Sequence, residues 1–272
     1  MADSTKPTPA LVGAVREVAQ LGGEVALRYF RNGVAVEGKR SAMAFDPVTE
    51  GDREAERQMR RFIEAKYPEH GILGEEHGEK RSDSPWRWVL DPIDGTRGFM
   101  SGTPTWTTLV GLEHEGVPVA GAIVQPFTGE TWHGFPGGAT YHGPGGSSPC
   151  RSSACTELES ARLAATDPRP LPQGYMTAEE AEAFSRVGAK CPVARFGCDA
   201  YAYGLLALGQ IDLVVESGLQ RYDVAALFPV LAGAGAKMAG WTGEASFDGG
   251  RIVAAATPEL FEAAQTALGR LQ

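Results

Sequence analysis

Two carboxylates follow an apolar segment of the chain and stand three residues apart. Residues 88–90 read Trp-Val-Leu and are followed by Asp91 and Asp94, and then by Gly95 and Thr96. Because the apolar segment is typical of a strand, both carboxylates can turn into one pocket at its end. Gly95 lets the backbone approach a ligand, and the amides of Gly95 and Thr96 can face a phosphate if a helix starts there. Carboxylates that hold Mg²⁺ beside amides that hold phosphate would perform metal-assisted phosphoryl hydrolysis.

Three further acidic segments could supply the same site, although each also has a simpler interpretation. Asp52 lies near the start of a predicted helix, where it could merely complement the helix dipole. Glu75 follows a short apolar segment and could belong to a solvated acidic turn. Asp223 precedes a strongly apolar predicted helix at residues 225–236 and could be a plain N-cap. The pair Asp94–Gly95 is itself a common turn signal, so the residues alone leave these alternatives open.

In their order along the chain, Asp52, Glu75 and Asp223 together with Asp-Pro-Ile-Asp-Gly-Thr at residues 91–96 resemble the inositol monophosphatase superfamily. Members of this superfamily are Mg²⁺-dependent, lithium-sensitive phosphatases, and the resemblance covers nearly the whole chain. It implies a layered α/β/α/β/α sandwich, in which an α+β N-terminal half and an α/β C-terminal half enclose the site. It also implies two to three Mg²⁺ ions as cofactors and a small phosphomonoester as substrate.

The family pattern assigns metal ligands to this chain. One metal would bind Glu75, Asp91 and the backbone carbonyl of Ile93. A second would bind Asp91, Asp94 and Asp223, so that Asp91 bridges the two ions. A third, looser ion would bind Glu75 and waters.

The same resemblance implies roles around the attacking water. Thr96 and Asp52 would orient and deprotonate that water, while the amides of Gly95 and Thr96 would hold the phosphate. No covalent phosphoenzyme is implied, because the motif places no protein nucleophile. Family members often carry a lysine shortly before the Asp52 segment, for which Lys39 is the candidate, and a solvated loop lysine is the alternative.

Substrate selection would depend on residues that differ from inositol-type members. The resemblance places Asp199 at the start of a helix and Glu216 at the end of a strand, where both would line the alcohol half of the substrate. Inositol-type members tend to have small neutral residues where Asp199 falls, and Arg97 stands where they tend to have Thr-Asn. An additional carboxylate suits a substrate with a cationic group, although Asp199 could also be a helix N-cap.

Other stretches resemble the histidinol-phosphatase branch of the superfamily. These are residues 101–109, 197–203 and 214–219. Histidinol phosphate carries an ammonium and an imidazole, so the expected activity is its hydrolysis to histidinol in histidine biosynthesis. The alternative is a phosphatase for inositol monophosphate or another small phosphomonoester. A non-catalytic relative is disfavoured, because every ligand of the family pattern is present.

The predicted elements divide the chain into two halves that form one catalytic unit. Helices are predicted at residues 9–30, 50–66, 178–187, 225–236 and 258–270, and a further helix is predicted to start at Asp199. Strands are predicted at residues 86–90, 107–113, 117–126, 131–135, 140–141, 163–166, 193–195 and 251–254, and a further strand is predicted to end at Glu216. Residues 143–149 are rich in glycine and proline and are predicted to be a loop. This loop would separate an N-terminal half, residues 1–145, from a C-terminal half, residues 146–272. The first half would carry most metal ligands, and the second would carry Asp223 and the substrate wall.

Composition excludes several function classes. The net charge of −9 disfavours a nucleic-acid partner, which needs a basic face. No apolar run approaches the ~18 residues of a membrane span, and the N-terminus has no apolar signal core, so a cytoplasmic protein is expected. The four cysteines have no Cys-x-x-Cys spacing, which disfavours a zinc site. The family is often dimeric, which leaves a homodimer open.

Overall fold

The computed structural model describes residues 6–32, 36–40 and 45–269. Its helices are α1 (Pro9–Leu27), α2 (Glu50–Lys66), α3 (Thr96–Ser101), α4 (Ala178–Gly188), α5 (Asp199–Ala207), α6 (Arg221–Val224), α7 (Leu227–Ala234) and α8 (Pro258–Leu268). Its strands are β1 (Val36–Arg40), β2 (Phe45–Thr49), β3 (Gly71–Gly74), β4 (Gly78–Lys80), β5 (Trp86–Asp94), β6 (Thr107–His114), β7 (Val117–Gln125), β8 (Glu130–Phe135), β9 (Gly138–Gly143), β10 (Gly146–Pro149), β11 (Arg162–Ala165), β12 (Val193–Phe196), β13 (Leu213–Gln220), β14 (Lys237–Gly240) and β15 (Gly249–Ala255).

Two sheets form the framework of the molecule. The first has the order β10-β9-β8-β7-β6-β5-β3-β4 and is antiparallel except where β3 pairs with β5. The second has the order β12-β11-β13-β15-β14, with β11 parallel to both of its neighbours. Strands β1 and β2 form a separate hairpin. Lys39 falls in β1, and its side chain lies outside the described residues.

Helices form three layers around these sheets. Buried residues of α1 and α2 pack on one face of the first sheet. Helices α5 and α7 fill the space between the sheets, where Leu109 and Trp132 of the first sheet share a core with Val214 and Ile252 of the second. Helices α4 and α8 cover the outer face of the second sheet. The predicted α/β/α/β/α sandwich is therefore confirmed.

The sequence supplies local reasons for several helix starts. Thr49 and Asp52 form a capping box at α2, and Thr177 forms one with Glu180 at α4. At α8, Thr257 caps the helix and is followed by a proline, whose missing N–H costs nothing in the first turn. These signals explain why the helices predicted near residues 50, 178 and 258 start where expected.

The prediction of a loop at residues 143–149 is wrong. Residues 146–149 form β10, which pairs with β9 from Gly146↔Gly143 to Pro149↔Thr140. The glycines make a tight hairpin turn, with φ of 112° at Gly146, instead of interrupting the sheet. The predicted boundary between residues 145 and 146 falls inside this hairpin, and the chain leaves the first sheet after Pro149. The division into two halves of one catalytic unit stays a prediction.

Other element boundaries also differ from expectation. The first helix ends at Leu27, β5 continues to Asp94, and β13 continues past Glu216 to Gln220. The helix predicted at residues 225–236 is replaced by α6 and α7, followed by β14, which the sequence did not predict. Among the described residues, no helix has both the length and the apolar character that crossing a membrane requires.

Candidate active site

An irregularity in β5 brings Asp91 and Asp94 together. Side chains along a regular strand alternate between its faces, so residues three apart would point to opposite sides. Here Asp91 pairs with Leu109 and Asp94 with Thr107, so β5 has one residue more than β6 over this stretch. Such a bulge redirects the side chains after it. Oxygen atoms of Asp91, Asp94 and the distant Asp223 lie within 4.8 Å of one another.

Asp223 reaches this cluster from the first turn of α6. Its carboxylate accepts a hydrogen bond from the backbone N–H of Gln220 at 2.6 Å, which completes a capping box. Gln220 is the N-cap residue and Asp223 is the third residue of the helix. The N-cap interpretation of Asp223 is therefore wrong, because Gln220 is the N-cap and Asp223 closes the capping box from the third position of the helix. Its hydrogen bond to Gln220 coexists with the position of Asp223 beside Asp91 and Asp94.

Burial and mutual repulsion dominate the electrostatics of the cluster. Burial raises the pKa of Asp91 well above its ordinary value, and the charges of Glu75, Asp94 and Asp223 raise it further. Burial and the charge of Asp199 raise the pKa of Asp94 to about 8. The Asp223 carboxyl also has a raised pKa, first because of burial and then because of Asp94. Since buried carboxylates are unfavourable without compensation, this arrangement favours a bound cation.

The donor set fits Mg²⁺. The Oδ1 atom of Asp91 is buried and has no hydrogen-bond partner within the described part of the chain. Glu75, which follows β3, and Ile93 of β5 line the same cavity as the three aspartates. Carboxylate and carbonyl oxygens are the ligands that Mg²⁺ prefers. A hard divalent cation would thus give Asp91 the partner that the protein itself does not supply.

Gly95 and Thr96 stand where the strand passes into a helix. Gly95 has φ of 82° and is the N-cap of α3, and Thr96 is the first residue of that helix. A Cβ atom on Gly95 would lie 3.0 Å from Cγ of Asp199. Both the backbone conformation and the neighbour therefore require glycine. A helix does start directly after Gly95, which meets the condition under which the amides of Gly95 and Thr96 can face a phosphate.

Asp52 and Thr96 each make a local hydrogen bond. Asp52 accepts from the backbone N–H of Thr49 at 2.8 Å and from its hydroxyl at 2.5 Å. The Thr96 hydroxyl donates to the carbonyl of Ile93 at 3.2 Å. Burial raises the pKa of Asp52 to about 6, and its charge contributes to the raised pKa of Asp91. Asp52 therefore lies close to the cluster, and its pairing with Thr96 stays a prediction.

Asp199 and Glu216 form a second acidic group in the same cavity. Glu216 accepts from the backbone N–H of Thr166 at 3.0 Å and from its hydroxyl at 2.8 Å. Asp199 is the first residue of α5, with φ of 46°, and Cys198 is the N-cap, so the N-cap interpretation of Asp199 is wrong. Burial is the first cause that raises the pKa of both carboxyls to about 7, and the charge of Glu216 contributes to the rise at Asp199. A non-glycine residue held at positive φ is strained, as functional residues often are.

Arg97 contacts a segment of the chain that sequence analysis did not assign to the site. Its guanidinium donates to Asp167 at 3.3 Å and to the carbonyl of Gln173 at 3.4 Å, and it lies 4.4 Å from the centre of the Tyr175 ring. These partners belong to residues 166–177, which join β11 to α4. Arg97 thus ties the helix after Gly95 to one wall of the cavity. The sequence carries no local signal for Thr166, Asp167 or Tyr175.

The cavity has a volume of about 380 Å³ and contains most of the predicted site residues. Those that line it are Glu75, Asp91, Ile93, Asp94, Gly95, Thr96, Arg97, Asp199, Glu216 and Asp223. Leu171, Tyr175 and Met176 add an apolar surface that sequence analysis missed. The site therefore combines an acidic cluster, a helix start and a second pair of carboxylates in one space of small-molecule size.

Comparison with known families agrees with this geometry. The sequence pattern described as the inositol monophosphatase family matches residues 9–271. The chain belongs to the inositol monophosphatase family. The sequence-based resemblance is thereby confirmed, and the general activity of this family member is hydrolysis of small phosphomonoesters.

Individual relatives of this family member differ in their named substrates. It is 43% identical to the chloroplastic bifunctional phosphatase IMPL2 of Arabidopsis thaliana over 84% of its own length, but spans only 63% of that relative. It is 33% identical to a histidinol-phosphatase of Chlorobaculum parvum, with 91% of this chain and 92% of the relative covered. An inositol monophosphatase structure from Zymomonas mobilis superimposes with a TM-score of 0.82 at 36% identity, covering 94% of this chain and 96% of that one.

Proposed function

We propose that the protein hydrolyses L-histidinol phosphate to L-histidinol and phosphate with the help of Mg²⁺. The observation that carries this proposal is the pair of carboxylates Asp199 and Glu216, the second of them buried, which lines the same cavity as the acidic cluster. A substrate whose phosphate lies at the cluster would present its alcohol half to this pair. The ammonium and imidazole of histidinol phosphate can supply the positive charge that two adjacent carboxylates require.

Mg²⁺ would be held by the carboxylates of Asp91, Asp94 and Asp223, with Glu75 and the Ile93 carbonyl completing the ligand set. When bound, two to three such ions would neutralise the phosphoryl oxygens, ionise a water and stabilise the leaving oxygen. The protein would contribute ligands that line the cavity, of which Asp91 is buried and Asp94 and Asp223 are half-buried. The orphaned Oδ1 of Asp91 supports its place at the centre of this set.

Asp52 and Thr96 are the residues proposed to handle the proton of the attacking water. The pKa of about 6 at Asp52 is favourable for a general base near neutral pH. The Thr96 hydroxyl already lies at the edge of the cluster, where it donates to Ile93. The backbone amides of Gly95 and Thr96 are proposed to hold the phosphate, since the start of a helix favours an anion.

An inositol monophosphate or another small phosphomonoester is the second candidate substrate. The named activity of the similar Zymomonas mobilis structure favours it. The two candidates differ in charge, because inositol phosphate has a neutral alcohol half. The role of Arg97 in substrate binding also remains a proposal, acting through the wall segment that it holds. A homodimer and a cytoplasmic location stay predictions.

Replacing Asp199 by asparagine tests the substrate assignment. Asparagine keeps the size of the side chain and removes the charge, so the variant should lose its charge-assisted contact with a cationic substrate. We expect kcat/KM for L-histidinol phosphate to fall about tenfold or more, while that for inositol 1-phosphate falls by less than about threefold. Phosphate release is measured on both substrates, with Mg²⁺ and with EDTA.

Asp83→Asn, at an exposed aspartate, is the matched control and should behave like the wild type. Equal losses on both substrates in the Asp199 variant would contradict the assignment of histidinol phosphate. A wild-type preference for inositol 1-phosphate would leave the phosphatase chemistry intact and favour the second candidate. Turnover that persists in EDTA would contradict the metal-dependent mechanism.

A further inference from the structure

A buried carboxylate outside the cavity joins α6 to the first sheet. Glu113 lies in β6 and its side chain is fully buried. Its Oε2 accepts from Nε of Arg87 at 2.9 Å, and its Oε1 accepts from Nε of Arg221 at 2.7 Å. A buried carboxylate is stable only when it is paired, and here each oxygen has its own guanidinium.

The Arg221 guanidinium makes two further contacts beyond Glu113. It donates to the carbonyl of Gly116, in the turn between β6 and β7, at 2.5 Å, and it pairs with Asp248. Arg221 is the first residue of α6 and only 17% of its side chain is exposed. Because the planar guanidinium fork bonds several acceptors at fixed angles, it holds the start of α6 against the β6–β7 hairpin.

Asp223 stands two residues after Arg221 in the same short helix. The cluster it enters consists of carboxylates with oxygen atoms within 4.8 Å of one another. Asp91 and Asp94 come from β5, which pairs with β6, and Arg87 lies directly opposite Glu113 in this ladder. The paired strands β5 and β6 therefore carry Asp91 and Asp94 and also Glu113, which binds Arg221 in the helix of Asp223. Without an anchor, repulsion from Asp91 and Asp94 would push α6 away.

We propose that the buried pair of Glu113 and Arg221 positions Asp223 for metal binding and thereby raises the affinity of the site for a divalent cation. The inference rests on the proposed function, in which Asp223 is a metal ligand. Arg221 acts through Asp223 and does not touch the metal. Residues that orient ligands typically change metal affinity by about 10- to 100-fold when they are replaced.

Two variants separate positioning from general stability. Arg221→Met and Arg87→Met each leave Glu113 with one guanidinium, but only Arg221 belongs to α6. We expect Arg221→Met to raise the dissociation constant for Mg²⁺ by about 10-fold or more, and Arg87→Met to change it by less than about threefold. Binding is measured by calorimetric titration of the whole protein with MgCl₂ in the absence of substrate, together with the melting temperature.

Arg221→Lys covers the case in which Arg221→Met does not fold. Lysine keeps the charge beside Glu113 but cannot bond Glu113 and the Gly116 carbonyl through one rigid fork. We expect about threefold weaker Mg²⁺ binding or more, with turnover recovering at saturating Mg²⁺.

The outcomes distinguish this inference from the proposed function. Wild-type affinity for Mg²⁺ in a folded Arg221 variant would overturn the positioning role alone. An equal loss of Mg²⁺ affinity in Arg87→Met would also overturn the positioning role, because the change in affinity would then follow the stability of the protein. If the wild type binds no Mg²⁺, the metal assignment and the positioning role both fail.

Discussion

At the scale of single residues, the acidic cluster opposes folding stability and favours a bound cation. Asp91, Asp94 and Asp223 are held within 4.8 Å of one another, and each has a raised pKa for which burial is the first cause. A folded protein tolerates such a group when its function depends on it. A similar arrangement recurs at Asp199 and Glu216, where burial is again the first cause that raises the pKa of each carboxyl.

Asp94→Asn should therefore separate stability from activity. An asparagine oxygen can still accept the hydrogen bond that Ala200 donates to Asp94 at 2.7 Å, so the fold should persist. Replacing a carboxyl whose ionised form burial and Asp199 disfavour should leave the metal-free protein as stable as the wild type or more so. Loss of a metal ligand should cost several kcal/mol of transition-state stabilisation, which lowers turnover by about 100-fold or more.

Urea unfolding in EDTA and phosphate release in Mg²⁺ measure the two effects on the same preparations. Asp83→Asn serves again as the control for an exposed aspartate. Unchanged turnover would remove Asp94 from the metal site. A large loss of metal-free stability would mean that its carboxylate stabilises the fold.

At the scale of elements, a row of glycines allows helices to lie directly on the first sheet. Gly111 of β6 pairs with Gly121 of β7, which pairs with Gly134 of β8. A Cβ atom at Gly111 would lie 2.8 Å from Cβ of Ala225, and one at Gly121 would overlap the Ala226 carbonyl. The three glycines therefore leave a shallow groove in the surface of the sheet, and the segment that follows Asp223 packs into this groove. Close packing at this groove helps to set the distance between α6 and the strands that carry Asp91 and Asp94.

Gly121→Ala should destabilise the protein, because the new methyl group cannot fit unless the α6–α7 segment moves. We expect a loss of about 1 to 3 kcal/mol in the free energy of unfolding. The matched control is Gly138→Ala in β9 of the same sheet, where a Cβ atom would meet nothing within 4 Å. That control should stay within about 0.5 kcal/mol of the wild type. Urea unfolding in EDTA makes the comparison, and equal effects of the two substitutions would argue against the groove.

At the scale of the whole molecule, the buried acids couple stability to pH and to metal. The pKa rises from 3.8 to about 6 at Asp52, to about 7 at Asp199 and to about 8 at Asp94. Between about pH 4 and about pH 8 these three carboxyls therefore hold more protons in the folded protein than in the unfolded chain. His133, whose pKa burial lowers to about 4, acts in the opposite direction but only below about pH 6.5. When the folded state binds more protons, the free energy of unfolding falls as pH rises.

The metal-free protein should thus become less stable from pH 5 to pH 8, and Mg²⁺ should restore most of the loss at pH 8. Metal binding lowers the pKa of its ligands and releases protons, so its affinity should rise over the same range. Thermal unfolding at several pH values, with EDTA and with Mg²⁺, measures both effects. A metal-free stability that rises toward pH 8 would show that these carboxyls are not held protonated in the fold.

Local features of the sequence were sufficient for much of the fold. The helical spacing of apolar residues in 9–30 predicted a helix, and the apolar run before Asp91 predicted a strand, because these signals act between near neighbours. Several short strands, such as β4, β10 and β14, escaped prediction. Strand β10 consists of four exposed residues with no apolar alternation, and only its pairing with β9 makes it a strand.

The sequence by itself predicted which residues would form the proposed metal site. The order of the acids and the run at residues 91–96 were enough to indicate the family and a cluster of metal-binding type. The tertiary structure decided how these residues are held. Arg221 meets Glu113 across 108 positions of chain, and Arg97 meets Asp167 across 70. Such pairings depend on how two sheets pack against each other, and no local pattern encodes that packing because its energy comes from burial of the whole core.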